Sequence, residues 1–263
     1  MFNLTPMVKK ILIINVALLA LGSLLNFNLS AIFGVHYIFS DSFYIFQYVT
    51  YMWLHAGFGH LFSNMLAVIV FGPMLERVWG SKRFLTFYLI TGIGAGLLFG
   101  VADTIEKGNL KSDMESYMSH PNPEDFYKYI HEYKSRYDMV ALGDFADKYY
   151  DDATNSSYIE QSVTVVNQIY EDLSNIPMVG ASGAVFGILL AFAMLFPNTE
   201  LLLLIPPMPV KAKYLVLFYG LYELYSEINR STGDNVAHLA HLSGMLIAYI
   251  LLKYWQQKRG NFY

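Results

Sequence analysis

The sequence predicts an all-α membrane protein. Six transmembrane helices form one bundle, and an extramembrane helical insertion separates the third helix from the fourth. Three observations carry this. The 263 residues are 55% hydrophobic and only 14% charged, with a mean hydropathy of +0.36, which lies on the membrane side of an ordinary globular domain. Apolar runs approaching the roughly 20 residues that cross a hydrocarbon core fall near 11–30, 60–79, 84–101, 178–196, 212–230 and 235–254. Charge is also segregated. Residues 102–177 hold fifteen Asp/Glu against six Lys/Arg, whereas the rest is net basic and the whole chain is only -4.

The first apolar run follows Lys9 and Lys10, as in a signal peptide. No small-residue cleavage site is clear after it and further apolar runs follow, so it reads as a retained span. Residues 33–58 are aromatic (Phe33, Tyr37, Phe43, Tyr48, Trp53 among them) but too broken by polar residues to span. Such rings favour the headgroup region, so this segment is expected in the interface. Within 102–177, Pro121 to Asp138 looks helical after a proline start. Val165, Ile169 and Leu173 recur at i+4 spacing along Gln161–Leu173, which marks an amphipathic helix rather than a seventh span. The weakest span is the fifth, Ala212 to Arg230, which holds Glu223, Glu227 and four tyrosines. Residues 1–101 and 178–263 are expected to form one membrane domain, interrupted by the acidic module 102–177.

Basic residues orient the chain. With the N-terminus inside, that side collects Lys9, Lys10, Arg77, Lys82, Arg83, Lys211, Lys213, Lys253, Lys258 and Arg259, while the short outer loops hold only Arg230. The acidic insertion then faces outward, which in a bacterial inner membrane is the periplasm. Spans two, four and six run from outside to inside, and His60, Ser182 and His241 lie near the start of each. At about 1.5 Å per residue, Ser182 is roughly 6 Å deep and His241 roughly 9 Å.

Polar groups in hydrocarbon are costly, so a serine and a histidine at like depth form a candidate hydrolytic dyad. Ser182 lies in Gly180-Ala-Ser-Gly-Ala-Val-Phe-Gly187, with Gly183, Gly187 and Ala191 at i+4 spacing. Ala237, His241, Gly244 and Ala248 mark a similar face on the sixth span. Two smooth faces allow close helix contact. The plain alternative is that Ser182 bonds its own i−4 carbonyl and the glycines only pack helices. His60 and Asn64 are i, i+4 on one face and are candidate oxyanion donors, or an interhelical hydrogen-bond pair.

Other chemistries fit less well. His238 and His241 are a conceivable metal pair, but no third ligand carboxylate is evident nearby in a span. His131-Glu132 lacks the second histidine of an HExxH arrangement. A paired-carboxylate protease would need a partner for Asp144, which lies in the polar insertion. Glu76, in Gly72-Pro-Met-Leu-Glu76-Arg77, reads as a cap or an ion-pair member. The absence of cysteine excludes disulfides, thiolate metal sites and cysteine nucleophiles.

Taken together, His55-Ala-Gly-Phe-Gly-His60-Leu-Phe-Ser-Asn64, Gly72-Pro-Met-Leu-Glu76-Arg77, Gly180-Ala-Ser182-Gly183 and Ala240-His241-Leu-Ser-Gly244 resemble the rhomboid family of intramembrane serine proteases, in the family's order. The resemblance implies Ser182 as nucleophile and His241 as general base without a third acid. It further implies His60 and Asn64 at the oxyanion, Phe186 stacked under the catalytic imidazole, and structural roles for His55 and Glu76. Substrates would be single-pass or other transmembrane proteins in the lipid bilayer, cut at or near the outer face. No cofactor, metal or nucleic acid is implied. Two departures stand out: the long loop between spans three and four, and Gly244/Ala248 in place of a glycine pair. The rival readings are a non-catalytic rhomboid-like protein that binds membrane clients, and a small-molecule transporter.

Overall fold

The computed structural model describes residues 4–133, 139–204, 207–229 and 236–259. It is mostly helical. Helix α1 (Pro6–Leu24) is followed by the short α2 (Ser30–Phe33), α3 (Gln47–Thr50) and a 3-10 turn at Tyr51–Trp53. Then come α4 (Phe58–Trp79), α5 (Ser81–Ser119), α6 (Pro123–Glu132), α7 (Met139–Asp151), α8 (Ser156–Ser174) and α9 (Ser182–Leu195). An antiparallel hairpin, β1 (Glu200–Leu204) with β2 (Pro207–Lys211), precedes α10 (Ala212–Ile228) and α11 (His238–Arg259).

By length and composition, three of the described helices are able to cross a membrane: α1, α4 and α5. Helix α9 is apolar but has only 14 residues, about 21 Å at 1.5 Å per residue. The expected spans shift accordingly. The first begins at Pro6, because proline suits the first helical position, and ends at Leu24 rather than 30. The third does not stop at 101 but runs on as one 39-residue helix into the acidic region. The fourth starts at Ser182 and not at 178. The sixth starts at His238; residue 235 and Arg230 lie outside the described residues. The hairpin corrects the all-α expectation. Its first strand is a short apolar run that periodicity alone does not separate from helix.

Glu76 fixes the N-terminal half. Its carboxylate accepts from Thr5 Oγ1, from Met7 N at 2.9 Å, from Val8 N at 3.0 Å and from Ser81 Oγ at 2.5 Å. One buried acid on α4 thus caps α1 and clasps the start of α5, satisfying N–H groups that a helix start leaves open. The segment between α2 and α3 is organised by buried Gln47. Its Oε1 accepts from His36 N and Tyr44 N, and its Nε2 donates to the Ile32 and Ser42 carbonyls. Across the aromatic stretch 33–58, Tyr37, Tyr48 and Tyr51 are buried, while Phe39, Tyr44 and Phe46 face outward.

One apolar core joins Ile11 of α1, Leu75 of α4, Phe84 of α5 and Phe192 of α9; a second lies apart from it. The far end of α5 supplies Leu110, Met114 and Tyr117, packed against Phe126 and Ile130 of α6, Tyr149 of α7 and Ile169 of α8. Helix α6 starts at Pro123 rather than Pro121. Asn122 caps it by accepting from Asp125 N at 2.9 Å, and the Asn122 side chain holds the Asp125 carboxyl below the usual range. The helix ends at Glu132; the stretch to Asp138 lies outside the described residues. Ile169 is buried and Leu173 half-buried, as the i+4 pattern required. Lys107, buried on α5, pairs with Asp103 at 3.1 Å and donates to the Ile176 carbonyl at 3.4 Å. It thereby ties the long helix to the strand-like approach to α9.

Candidate active site

Ser182 is the first residue of α9, and its approach is fixed from both sides. Val35 and Met178 form an isolated antiparallel bridge, and Gly180 N donates to the Tyr51 carbonyl at 3.1 Å. Gly180 has φ +137, a region that favours glycine. A Cβ there would lie 2.8 Å from His60 Cε1 and 3.6 Å from Ser182 Oγ. Both the His60 imidazole of α4 and the serine hydroxyl thus border the space that a side chain at 180 would fill. The first helical bond of α9 runs from Val185 N to Ala181 O. The N–H groups of Ser182, Gly183 and Ala184 thus lack an intrahelical acceptor, as every helix start does.

Helix α9 sits between α5 and α11, separated by almost nothing. A Cβ on Gly183 would meet Ala95 Cβ of α5 at 2.5 Å, and one on Gly244 would fall 2.0 Å from the Gly183 carbonyl oxygen. Gly187 faces Thr91 of α5, not the sixth helix, so the small-residue row of α9 is shared between two neighbours. Ala248 is buried.

His241 lies in the first turn of α11. Its ring stacks on Phe186 of α9 with centroids 4.2 Å apart and planes 8° off parallel. Among the described residues no hydrogen bond joins it to Ser182. Its Nδ1 lies 2.8 Å from Glu223 Oε2, and His238 Nδ1 lies 2.5 Å from the same oxygen. Glu223, His238 and His241 are all buried. This corrects the expectation that no carboxylate sits near the two histidines: Glu223 of α10 is that carboxylate. Periodicity did not find it, because which face of α10 turns inward depends on packing. The three side chains also form a compact donor set, within 4.8 Å of one another. The N···O separations are nevertheless those of hydrogen bonds; donors around a tetrahedral zinc stand about 3.3 Å apart.

Ser182, His241, His60, Asn64 and Phe186 line one cleft of about 2060 Å³. Asn64 is buried, and its Nδ2 donates to the His60 carbonyl at 3.1 Å. His55 is buried and packs edge-on to His60, centroids 5.0 Å apart. Burial, then the neighbouring His60, pushes the His55 imidazole down to about 3, so it stays neutral. The cleft is lined further by Val70 and Leu202 and by Lys107 and Asp113 of α5. Asp144 is exposed on α7, away from this group.

A family model described as the Rhomboid domain matches residues 42–107 and 155–257. RHOMBOID-like protein 6, mitochondrial, of Arabidopsis thaliana is 50% identical over 50 residues, 19% of this chain and 16% of that protein. RHOMBOID-like protein 2 of the same plant is 49% identical over 47 residues, 18% of this chain and 15% of its own length. YdcA of Bacillus subtilis (strain 168), described as a candidate rhomboid protease, is 47% identical over 45 residues, 17% of this chain and 23% of that protein. The matched stretches span less than a quarter of each relative. No solved structure matches.

Proposed function

Because the chain belongs to the rhomboid family, whose domain model covers more than half of it, we propose that it is an intramembrane serine endopeptidase with Ser182 as nucleophile and His241 as general base. The observation that carries the reading is the joint placement of Ser182, at the open start of α9, and His241, stacked on Phe186, in one cleft. Substrates are transmembrane proteins, cut at or near the outer membrane face. Helix-weakening residues at that point favour cleavage, since the substrate backbone must unwind to enter.

The mechanism follows from these groups. Ser182 Oγ bonds to the scissile carbonyl carbon while its proton passes to His241 Nε2. The hydrogen bond between the two forms as substrate enters, as catalytic bonds often tighten only then. The oxyanion is met by the open N–H groups of α9, favoured by the helix dipole, and by the side chains of His60 and Asn64. Collapse breaks the C–N bond, and His241 returns the proton to the leaving amine. Water then releases the acyl group.

The six-span arrangement belongs to the same proposal. Besides α1, α4 and α5, it uses α9, α10 and α11. Leu217, Phe218, Leu221, Leu224 and Tyr225 of α10 are exposed, which suits a lipid-facing surface better than water. The short α9, entered by an extended segment, leaves Ser182 below the membrane surface. Residues 102–177 stand outside and the N-terminus inside. Relatives in both a plant and a bacterium give a bacterial inner membrane no preference, so no particular membrane is proposed. The insertion limits access and does no chemistry.

The test is a panel of single-span reporters in proteoliposomes, with fluorophosphonate labelling of the protein. Cleavage near the outer face, labelling of Ser182, and cutting of the insertion by protease added outside are expected. A chain that binds the reporters but neither cleaves nor labels is a client-binding protein instead, as the rhomboid-like names of the plant relatives permit. Loss of one oxyanion donor costs about 10²–10³ in kcat, and His60→Ala is expected in that range. Asn64→Ala is expected to cost less, because the Asn64 amide already serves the His60 carbonyl. Wild-type kcat in both variants makes the pair structural.

A further inference from the structure

The buried carboxylate of Glu223 has no part in a serine–histidine dyad, yet it touches the proposed base directly. Its Oε2 lies 2.8 Å from His241 Nδ1 and 2.5 Å from His238 Nδ1. An ionised carboxylate only accepts hydrogen bonds, so each imidazole donates its Nδ1–H to that oxygen. A neutral imidazole carrying its proton on Nδ1 has a bare Nε2. The groups that face His241 from the packed elements are Glu223 and Tyr219 on α10, Ser182 and Phe186 on α9, His60 on α4 and His238 on its own helix. Among the described residues, Glu223 is the only carboxylate in hydrogen-bond contact with His241.

We propose that Glu223 is a positioning residue for His241: it holds the imidazole in the tautomer protonated at Nδ1, keeps Nε2 free to take the Ser182 proton, and stabilises the imidazolium that results. This rests on the Ser182–His241 reading above. During attack the proton leaves Ser182 Oγ for His241 Nε2 as the Oγ–C bond forms. Nδ1–H stays with the histidine and remains bonded to Glu223, which never takes the proton. His238 is the second donor to the same oxygen. It offsets part of the cost of a buried anion, a cost that an unpaired carboxylate in hydrocarbon would carry in full. The catalytic group is thus braced by stacking on Phe186 across its face and by a charged hydrogen bond at one edge.

The experiment compares wild type, Glu223→Gln and Ser182→Ala on one cleavable reporter across pH. It adds ¹⁵N-histidine spectra of the wild type, with the His241 signals identified by their loss in His241→Gln. Glu223→Gln is expected to lose up to about 10⁴ in kcat, the loss seen when a triad acid is neutralised, with KM little changed. The acid limb of its pH profile moves to lower pH, because an imidazolium without an adjacent negative charge forms less readily. A residue that merely packed would leave that limb in place. The wild-type spectra are expected to show His241 protonated at Nδ1 and bare at Nε2. Glu223→Gln with wild-type kcat and an unmoved acid limb overturns the proposal while Ser182→Ala remains inactive; cleavage by Ser182→Ala overturns the protease reading itself. If Glu223→Gln does not fold, the spectra decide, and His241 protonated at Nε2 in the resting wild type overturns the proposal.

Discussion

Ser182→Ala is expected to lower reporter cleavage by several orders of magnitude, and His241→Ala by a similar factor. Residues that act as one nucleophilic unit are strongly non-additive. In a soluble serine protease, losing either nucleophile or base costs on the order of 10⁶ in kcat, about as much as losing the whole unit. Here the proposed oxyanion donors and the cleft are left in place by both substitutions. A residual rate above water is therefore expected, with the double variant no worse than either single one. The variants should still fold. Ser182 is half-buried at a helix start whose backbone bonds do not involve its side chain, and among the described residues no hydrogen bond of its hydroxyl holds the fold. Cleavage rates for the two single variants and the double variant, with reporter binding measured in parallel, check this. A Ser182→Ala variant that cleaves at the wild-type rate removes the serine from the mechanism. Additive losses in the double variant show two independent contributions, not a dyad.

Gly244→Ala is expected to be the most damaging single-methyl change in the chain. The added carbon would fall 2.0 Å from the Gly183 carbonyl oxygen and 2.7 Å from its carbon. Both are backbone atoms that cannot rotate away, so α11 and α9 must separate. Gly183 follows Ser182, and Gly244 lies one turn after His241, so the separation is transmitted to the proposed catalytic pair. A misplacement of about 1 Å costs roughly 10² in rate, and overpacking costs about 1–3 kcal/mol of stability. A fall of about 100-fold in kcat with a lowered Tm is the expected result. Ala248→Gly, one turn past Gly244 and two past His241, should change kcat only a few-fold, because the proposed base does not sit there. Wild-type kcat in Gly244→Ala shows that the contact relaxes elsewhere and does not set the distance between Ser182 and His241.

Glu76 and Phe186 show how far local sequence reaches. Glu76 was legible as a cap or an ion-pair member because an acid in an apolar helix needs donors. Which donors it found, Thr5, Met7, Val8 and Ser81, came from the meeting of three helices. The Phe186–His241 stack followed from resemblance alone; no spacing rule relates residues on two separate helices.

What the sequence determined by itself is what short-range chemistry writes into it: apolar runs long enough to cross hydrocarbon, small residues at helical spacing around Ser182 and Gly244, the acidic region with its own amphipathic helices, and the few polar residues that an apolar helix would not carry without use. Tertiary structure decided the rest. It made α5 one 39-residue helix that runs through Gly108, since no proline stands between 101 and 119 and the second core rewards its extension. It divided the glycines of α9 between α5 and α11. It turned Glu223 inward onto two histidines of the next helix. The rotation of a helix about its own axis is set by everything that packs against it, so a carboxylate that reads as a flaw in a weak span becomes, once α10 meets α11, the hydrogen-bond partner of His238 and His241.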